Sequence, residues 1–561
     1  MKKILSIVMI VAMLATSILI PVSAEAIDVE SVTDWNEFFK SLKESDFTLD
    51  EELDGDGTEE SPYLIASASD LIYVAAATNN YSDGKDRQGP ANTAYYKLTA
   101  DIDLAGVSWY GIGSPWGNKF SGTFDGNGHV IYNLTLASNQ AVNGLFRTTA
   151  AGAEIKNVGI ASGASTVAIE ANNDANVYIG NFIGEATGSV TIENCFNAAS
   201  LTVEANNGKN HQFGGFIGRA TDAVTFTNSF NAGALTVTSN VGPCVAGLVG
   251  YSENSVTTMT NCFNTGAITV TVAGTSHIGG LAGRANSGLN ATNCWNTGDV
   301  TVHMDAKQNV GVGGIIGNNY TATTFDSCQS VCNISVDFAK DWDGIGVLIG
   351  KLNNGGSVKN SSAGGTVTVT KTEGSPEYTG LFVGYPAGNP TFENCTCSVT
   401  GTKNKEEIAD SYLLGDGGAT SSAGITKVNS IQITAASMFA DKYAQNGVVG
   451  TTNANSVRFV TELVFNSVAF QECGYKVAIT YGEATKEVTL KGNVVYSSLK
   501  AAGETVTPKN GQSFIAYGIS DIPADADVTF KVTPYVVTLD GDYIYGTQTT
   551  VEMTDGEVPN A

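Results

Sequence analysis

Seven times between residues 177 and 397, an apolar segment closing on glycine is followed about ten residues later by Asn-Cys or a near equivalent. The closing glycines are Gly184, Gly218, Gly250, Gly283, Gly317, Gly350 and Gly384, so the period holds at 32 to 34 residues. A spacing that steady describes one structural unit stacked on itself. Each copy carries three short runs rich in Val, Ile, Thr and Phe, punctuated by Gly and Asn, which predict three strands joined by three corners. The expected unit is one turn of a triangular, parallel β-coil. Ankyrin and tetratricopeptide units share the period but require ten-residue helical patterns rich in Leu and Ala, and here Gly, Thr and Asn interrupt every candidate helix. Propeller blades need four strands in roughly 40–50 residues, which this period does not supply.

Stacking places equivalent positions of successive coils about 4.8 Å apart, so the repeat resolves into columns. Ile192, Phe226, Met259, Ala291, Phe325, Val358 and Phe392 form a core column. Asn194, Asn228, Asn261, Asn293, Asn360 and Asn394, with Ser327 in the gap, predict an amide ladder at a corner. Asn tolerates left-handed backbone there, and its side chain can bond from coil to coil. Beside it run Cys195, Ser229, Cys262, Cys294, Cys328, Ser361 and Cys395, then Phe196, Phe230, Phe263 and Trp295, ending at polar Gln329. Strict alternation would send cysteines and aromatics to opposite faces. Either the chain bends at Asn and both columns pack, or Phe196, Phe230, Phe263 and Trp295 form an exposed strip, a candidate binding surface for sugar rings or a partner protein.

The flanks differ in pattern. Lys2 and Lys3, the apolar run Ile4 to Val22 and the small-residue exit Ala24-Glu25-Ala26 predict a bacterial signal peptide at 1–26. A secreted, extracellular or cell-surface-associated protein follows, with no stable membrane insertion once the signal is removed. Asp34 to Ser45 brings Trp35, Phe38, Phe39 and Leu42 onto one helical face, a helical cap within 27–54. Residues 429–561 hold longer alternating strands such as VRFVTELVF and DVTFKVTPYVVTLDG, about seven in all, which suggest an immunoglobulin-like β-sandwich. The segment 406–428, containing GDGGATSSAG, reads as a linker. The fold class is therefore all-β, a parallel β-helix followed by a sandwich.

Charge and cysteine content narrow the partners. With 55 acidic against 29 basic residues the net charge is −26, which opposes nucleic acid and anionic lipid and favours neutral or cationic partners. The nine cysteines are odd in number and lie mostly on the repeat, as packing rather than a disulfide framework. Parallel side chains at Cys262, Cys294 and Cys328 are poorly oriented for bridging, so a reduced ladder is expected.

Upstream of the repeats, GDGTEESPYLIASASDL (Gly55 to Leu71), YYKLTADIDLAGVSWYGIG (Tyr95 to Gly113), FSGTFDGNGHVIYNLTL (Phe120 to Leu136) and GLFRTTAAGAEIKNVGI (Gly144 to Ile160) follow in order. Over about residues 55–400 the chain resembles the GLUG-motif surface proteins of Gram-positive and other bacteria, related modules of which accompany IgA-specific metallopeptidases. The resemblance implies a right-handed parallel β-helix at 55–405 on a secreted or surface protein, adhesive in role, with any enzymatic activity housed elsewhere. This chain departs from the peptidase relatives in having no HExxH, so that activity is not carried over.

The parallel β-helix also carries pectate lyases and polygalacturonases, and an enzyme needs specific residues. A lyase requires a proton-abstracting base, acidic ligands for calcium and cations for its anionic sugar. The eight Lys and Arg between Val177 and Thr400 are scattered. Asp101 and Asp103 share a strand face but belong to the family motif and read as structure, and Asp54 and Asp56 lack the further carboxylates of a calcium loop. His129, His211, His277 and His303 lack the spacing of a metal pair, and Arg219 and Arg284 read as solvated. No catalytic residue, metal ligand or cofactor is therefore expected. The leading expectation is a non-catalytic adhesion or binding protein for a glycan or for a host or matrix protein. The alternatives are a polysaccharide lyase or glycoside hydrolase on a β-helix scaffold, and a passive spacer for the C-terminal sandwich.

Overall fold

The computed structural model describes residues 53–554 apart from 80–91, 170–174, 305–309, 339–343, 372–377, 416–419, 429–431, 441–456, 465–469, 507–511, 520–526, 539–542 and several shorter stretches. The expected signal and the amphipathic segment at Asp34 to Ser45 lie outside the described residues. Among those described, the chain up to Lys427 forms one compact unit and the chain from Val428 a second.

The first unit is a parallel β-solenoid. Its first sheet stacks eleven strands, from Tyr63–Ile65 to Thr391–Glu393. The register advances one coil at a time, Ile192 on Phe226, Phe226 on Met259 and Met259 on Ala291, and the whole column is buried. A representative coil carries five short strands, not three: Val190–Glu193, Phe196–Asn197, Ser200–Ala205, Lys209–Gly214 and Ile217–Ala220. Part of the difference lies in the apolar run that closes each period, which breaks into two strands. In the preceding coil these are Asn176–Gly180 and Ile183–Ala186, joined only by Asn181 and Phe182.

That break explains the periodic glycine. A β-carbon on Gly180 would sit 2.3 Å from the Phe216 carbonyl oxygen and 2.8 Å from the Gly218 nitrogen, and one on Gly218 would sit 2.5 Å from the Ile179 nitrogen. The two strands meet backbone against backbone in a sharp re-entrant corner that favours glycine, Ala246 being the one larger residue in that register. Pairs four apart recur for this reason at Gly214/Gly218, Gly279/Gly283, Gly313/Gly317, Gly346/Gly350 and Gly380/Gly384.

The asparagine corner has its own logic. Asn194, Asn228, Asn261, Asn293, Asn360 and Asn394 all adopt left-handed backbone, φ between 49° and 55°, and so does Ser327. Each side-chain amide donates to its counterpart one coil back, at 3.1 Å from Asn228 to Asn194, 2.9 Å from Asn261 to Asn228 and 3.3 Å from Asn293 to Asn261. Where Ser327 interrupts, Asn360 reaches the Asp326 carboxylate instead, at 2.9 Å. The left-handed turn sends the next side chain inward, and its S–H or O–H donates to the carbonyl two residues back. Cys262 and Cys294 reach Thr260 and Thr292 at 3.2 Å, and Ser229 reaches Thr227 at 2.9 Å. A small side chain with one proton to give is what the position requires, so cysteine and serine alternate there. All nine cysteines are free and buried.

The ends of the solenoid depart from expectation. A helix at Ala68–Thr78 follows the first strand, and Leu71, Ile72, Val74 and Ala75 join the solenoid core. Its N-terminus is closed by Ser67, which accepts from the Asp70 amide. At the other end the segment expected to be a linker is packed. Ile425–Lys427 adds a parallel strand on Cys395–Cys397, Glu406–Glu407 turns back antiparallel on Thr402–Lys403, and Leu413, Leu414 and Ile425 bury apolar area that a free linker would expose.

The second unit contains two larger antiparallel sheets and a two-stranded one, Leu499–Ala501 with Glu504–Val506. Of the larger two, one runs Gln432–Ala440, Val457–Val464, Gln512–Ile519, Asn493–Val495, and the other runs Ala484–Lys491, Phe470–Tyr481, Val528–Thr538, Tyr543–Tyr545, with Thr549–Met553 also paired to Val528–Thr538. Val457, Phe459 and Ile515 of the first share one apolar cluster with Tyr475, Val477, Phe530 and Val532 of the second.

The asparagine corner is testable by separating backbone from side chain. Asn261→Gly keeps the left-handed backbone and loses the amide bonds, an expected cost of about 1–3 kcal/mol. Asn261→Ala should cost about 1 kcal/mol more, because its β-carbon is strained there. Equilibrium denaturation of the two variants measures the difference, and equal losses would show that the backbone contributes nothing.

Candidate binding surfaces

After the inward cysteine, alternation resumes: Cys195 points in, Phe196 out and Asn197 in. The chain bends at Asn194 and still separates thiols from aromatics onto opposite faces. Phe196, Phe230 and Phe263 are half-buried and Trp295 is 7% exposed. Their rings stack nearly parallel, with centroids 5.4 Å apart for Phe196–Phe230, 4.4 Å for Phe230–Phe263 and 4.1 Å for Phe263–Trp295. At the first end Phe196 lies over Gly159, where a β-carbon would come within 1.9 Å of the ring. At the last end Gln329 registers on Trp295 and is itself buried. Each ring face is therefore covered by its neighbour, leaving edges to solvent. Sugar rings stack on aromatic faces, so this geometry favours a cohesive seam that ties four coils together.

Sharing a sheet with this seam is a hydroxyl column. Thr166, Thr202, Thr236, Thr269, Thr301, Ser335, Thr368 and Thr402 stand in unbroken register on the outward side. Inward neighbours such as Val203, Val237, Val270 and Val302 are fully buried. The alternation fixes which face each residue takes, because a one-residue slip would put valines in water.

The re-entrant corner folds part of the outer surface into a furrow. One wall carries Tyr178, Gln212, Cys244 and His277 in register, all at least nine-tenths buried. The other carries Glu185, Arg219, Tyr251, Arg284, Asn318, Lys351 and Tyr385. The two arginines expected to be solvated are engaged here. Arg219 donates to Tyr178 Oη at 3.0 Å, to Glu185 at 2.9 Å and to Glu253 at 2.5 Å. Arg284 lies over the rings of Tyr251 and Tyr320, 5.4 and 4.5 Å from their centroids, and donates to Asn286 at 2.9 Å. His277 sits 3.3 Å from the Asn318 amide. Burial, and then the cations Lys351 and Arg284, hold its imidazole well below the usual histidine range.

A second asparagine ladder escaped the column analysis. Asn197, Asn231, Asn264 and Asn296 are fully inside; the first three amides donate to the next Oδ1 at 2.7 Å, and all four donate to the carbonyl two residues on at 2.8–3.0 Å. The signal was present, since Asn follows every aromatic in the column.

The remaining sequence candidates are local structure. His129 Nδ1 lies 3.1 Å from Asp101 Oδ1, Asp103 accepts from the Ala105 amide at 2.9 Å, and Asp56 accepts from Thr58 at 2.7 Å. Among the described residues, no group of three or more His, Cys, Asp or Glu is arranged to hold a metal ion. Among them too, no helix is long and apolar enough to cross a membrane.

Comparison with known proteins adds little. No protein-family profile matches the chain, and no solved structure does. Halomucin of Haloquadratum walsbyi is 35% identical over 131 residues, which is 22% of this chain and 1% of halomucin.

Two measurements check these placements. Burial pushes the Cys195 and Cys332 thiols up to about 12 and Cys294 well above its ordinary value, so the native protein should react negligibly with a thiol reagent and release nine equivalents after denaturation. Rapid labelling of the native state would refute the buried column. His277 is depressed when folded, so the unfolded chain binds its proton first and stability falls as pH drops through the unfolded value of about 6.5. His277→Gln should flatten that slope in denaturation midpoints between pH 5 and 8, and an unchanged slope would assign it elsewhere.

Proposed function

We propose that the chain is a secreted or cell-surface binding protein of the GLUG-motif type, adhering without catalysis to a glycan or to a host or matrix protein. The observation that carries this reading is the outward surface of the solenoid, where side chains form columns held in one register over eight coils, as the threonine column is. A surface that repeats every coil suits a partner that is itself extended or repetitive, and multiplies weak contacts. The N-terminal pattern of charge, apolar run and small-residue exit supports export. In the same reading the coil is right-handed and the two larger C-terminal sheets form an immunoglobulin-like sandwich.

One observation favours a second reading, in which the solenoid is a spacer and the C-terminal unit binds: the aromatic faces of the solenoid are spent on one another. The mature chain, screened against polysaccharides and extracellular matrix proteins, should retain at least one class without releasing new reducing ends. Release of reducing ends would instead establish the polysaccharide lyase or glycosidase alternative.

A further inference from the structure

The second unit holds an aromatic cluster built differently from the solenoid seam. Tyr543 and Tyr545 sit two apart on one strand, share an outward face, and are 49% and 45% exposed, more than any other large apolar side chain described except Tyr412. Their centroids are 5.7 Å apart at 17°, wider than the 4.1–4.4 Å of the tightly stacked seam rings. Beneath them Tyr535 is fully buried, 5.4 Å from Tyr543, and donates to the Glu472 carboxylate at 2.7 Å. The pair therefore stands on a fixed floor, and tyrosines so held lose little entropy on binding.

A cation completes the cluster. The Lys476 ammonium lies 5.2 Å from the Tyr543 centroid and 4.7 Å from that of Tyr545, and donates to Tyr545 Oη at 2.5 Å. No carboxylate stands within ion-pair distance of it among the described residues; Glu487 acts on it from further off, and Glu472 is engaged by Tyr535 and by Lys491 at 3.0 Å. Lys531, exposed and two residues from the direct partner of Lys476, adds a second positive charge to the same face. In a chain of net charge −26, an ammonium outside any ion pair beside two accessible ring surfaces is a point at which an anionic group can be held.

We propose that Tyr543, Tyr545 and Lys476 form a binding subsite for a carboxylate-bearing sugar residue of an extracellular glycan, a uronate or a sialate. The C–H face of the sugar packs on the tyrosines and its carboxylate takes the ammonium. This rests on the binding reading above and locates it in the second unit.

The test uses the full mature chain and paired probes that differ only in charge: oligogalacturonate against its methyl ester, and sialyllactose against lactose, by calorimetry. At least one acidic probe should bind more tightly than its neutral counterpart, by about tenfold for one charge-assisted bond. Lys476→Met should erase that preference, and Tyr543→Ala with Tyr545→Ala should abolish binding, with circular dichroism and the unfolding midpoint confirming an intact fold. Lys476→Gln, which removes the charge and keeps a polar head, should behave as Lys476→Met. Equal binding of acidic and neutral probes, or unchanged binding in all three variants, overturns the subsite. If the variants still retain a glycan from the broader screen, the binding reading stands and only this location fails; if the unaltered chain retains nothing, the binding reading itself fails.

Discussion

In a parallel coil every side chain rests on the residue at the same position one turn away, about 4.8 Å off, so each position must accept a near copy of itself. Side-chain chemistry along the solenoid follows from that condition. An amide satisfies it well, because its donor and acceptor point in opposite directions along the stack, and two separate asparagine ladders use it. Flat rings satisfy it by stacking, and the seam from Phe196 to Trp295 does so. Thiols and hydroxyls satisfy it by giving their proton to the backbone of their own coil. Like charges fail it: at that spacing two cations would repel by about 3–4 kcal/mol at an effective dielectric of 20. The furrow column accordingly runs Glu185, Arg219, Tyr251, Arg284, Asn318, Lys351, with no two cations in adjacent coils.

The re-entrant corner adds a second demand. By bringing two strands into backbone contact it removes water from side chains that face outward, so polar groups on the outer surface need partners as if they were inside. Arg219 meets this with two carboxylates and a phenol, Arg284 with two ring faces and an amide. Glycine pairs thus determine more than a bend: they decide which surface residues are free to bind anything.

This explains what was legible beforehand. The coil, its period, its core column and the left-handed asparagines could be read because each depends on residues at fixed spacing within one period. The split of the closing apolar run could not, since Val177, Ile179, Ile183 and Ala186 are all apolar whether they form one strand or two, and only the backbone approach at Gly180 and Gly218 separates them. The fate of Arg219 and Arg284 was hidden for the same reason: their partners, Glu185 and Tyr320, lie a full coil away. Helix Ala68–Thr78 carried the signal of Ser67 followed by Asp70, but that sat inside a stretch absorbed by its motif. The Tyr543 and Tyr545 cluster left no trace in column form, because antiparallel pairing with Tyr535 and Val537 is set by tertiary register.

Charge then separates how a ligand arrives from how it is held. Arg219 is paired inside the furrow with two carboxylates, so it contributes little to the field a ligand meets, and the excess of 55 acids over 29 bases is felt outside. An anionic sugar approaching this molecule is repelled at long range, and salt eases that repulsion by shortening the screening length. At contact an attraction becomes available, because Lys476 lies over two phenol rings outside any ion pair among the described residues. Recognition under these conditions depends on short-range fit and on how long the ligand stays, since the field opposes encounter, and stacking against a tyrosine pair lengthens residence without needing a favourable field.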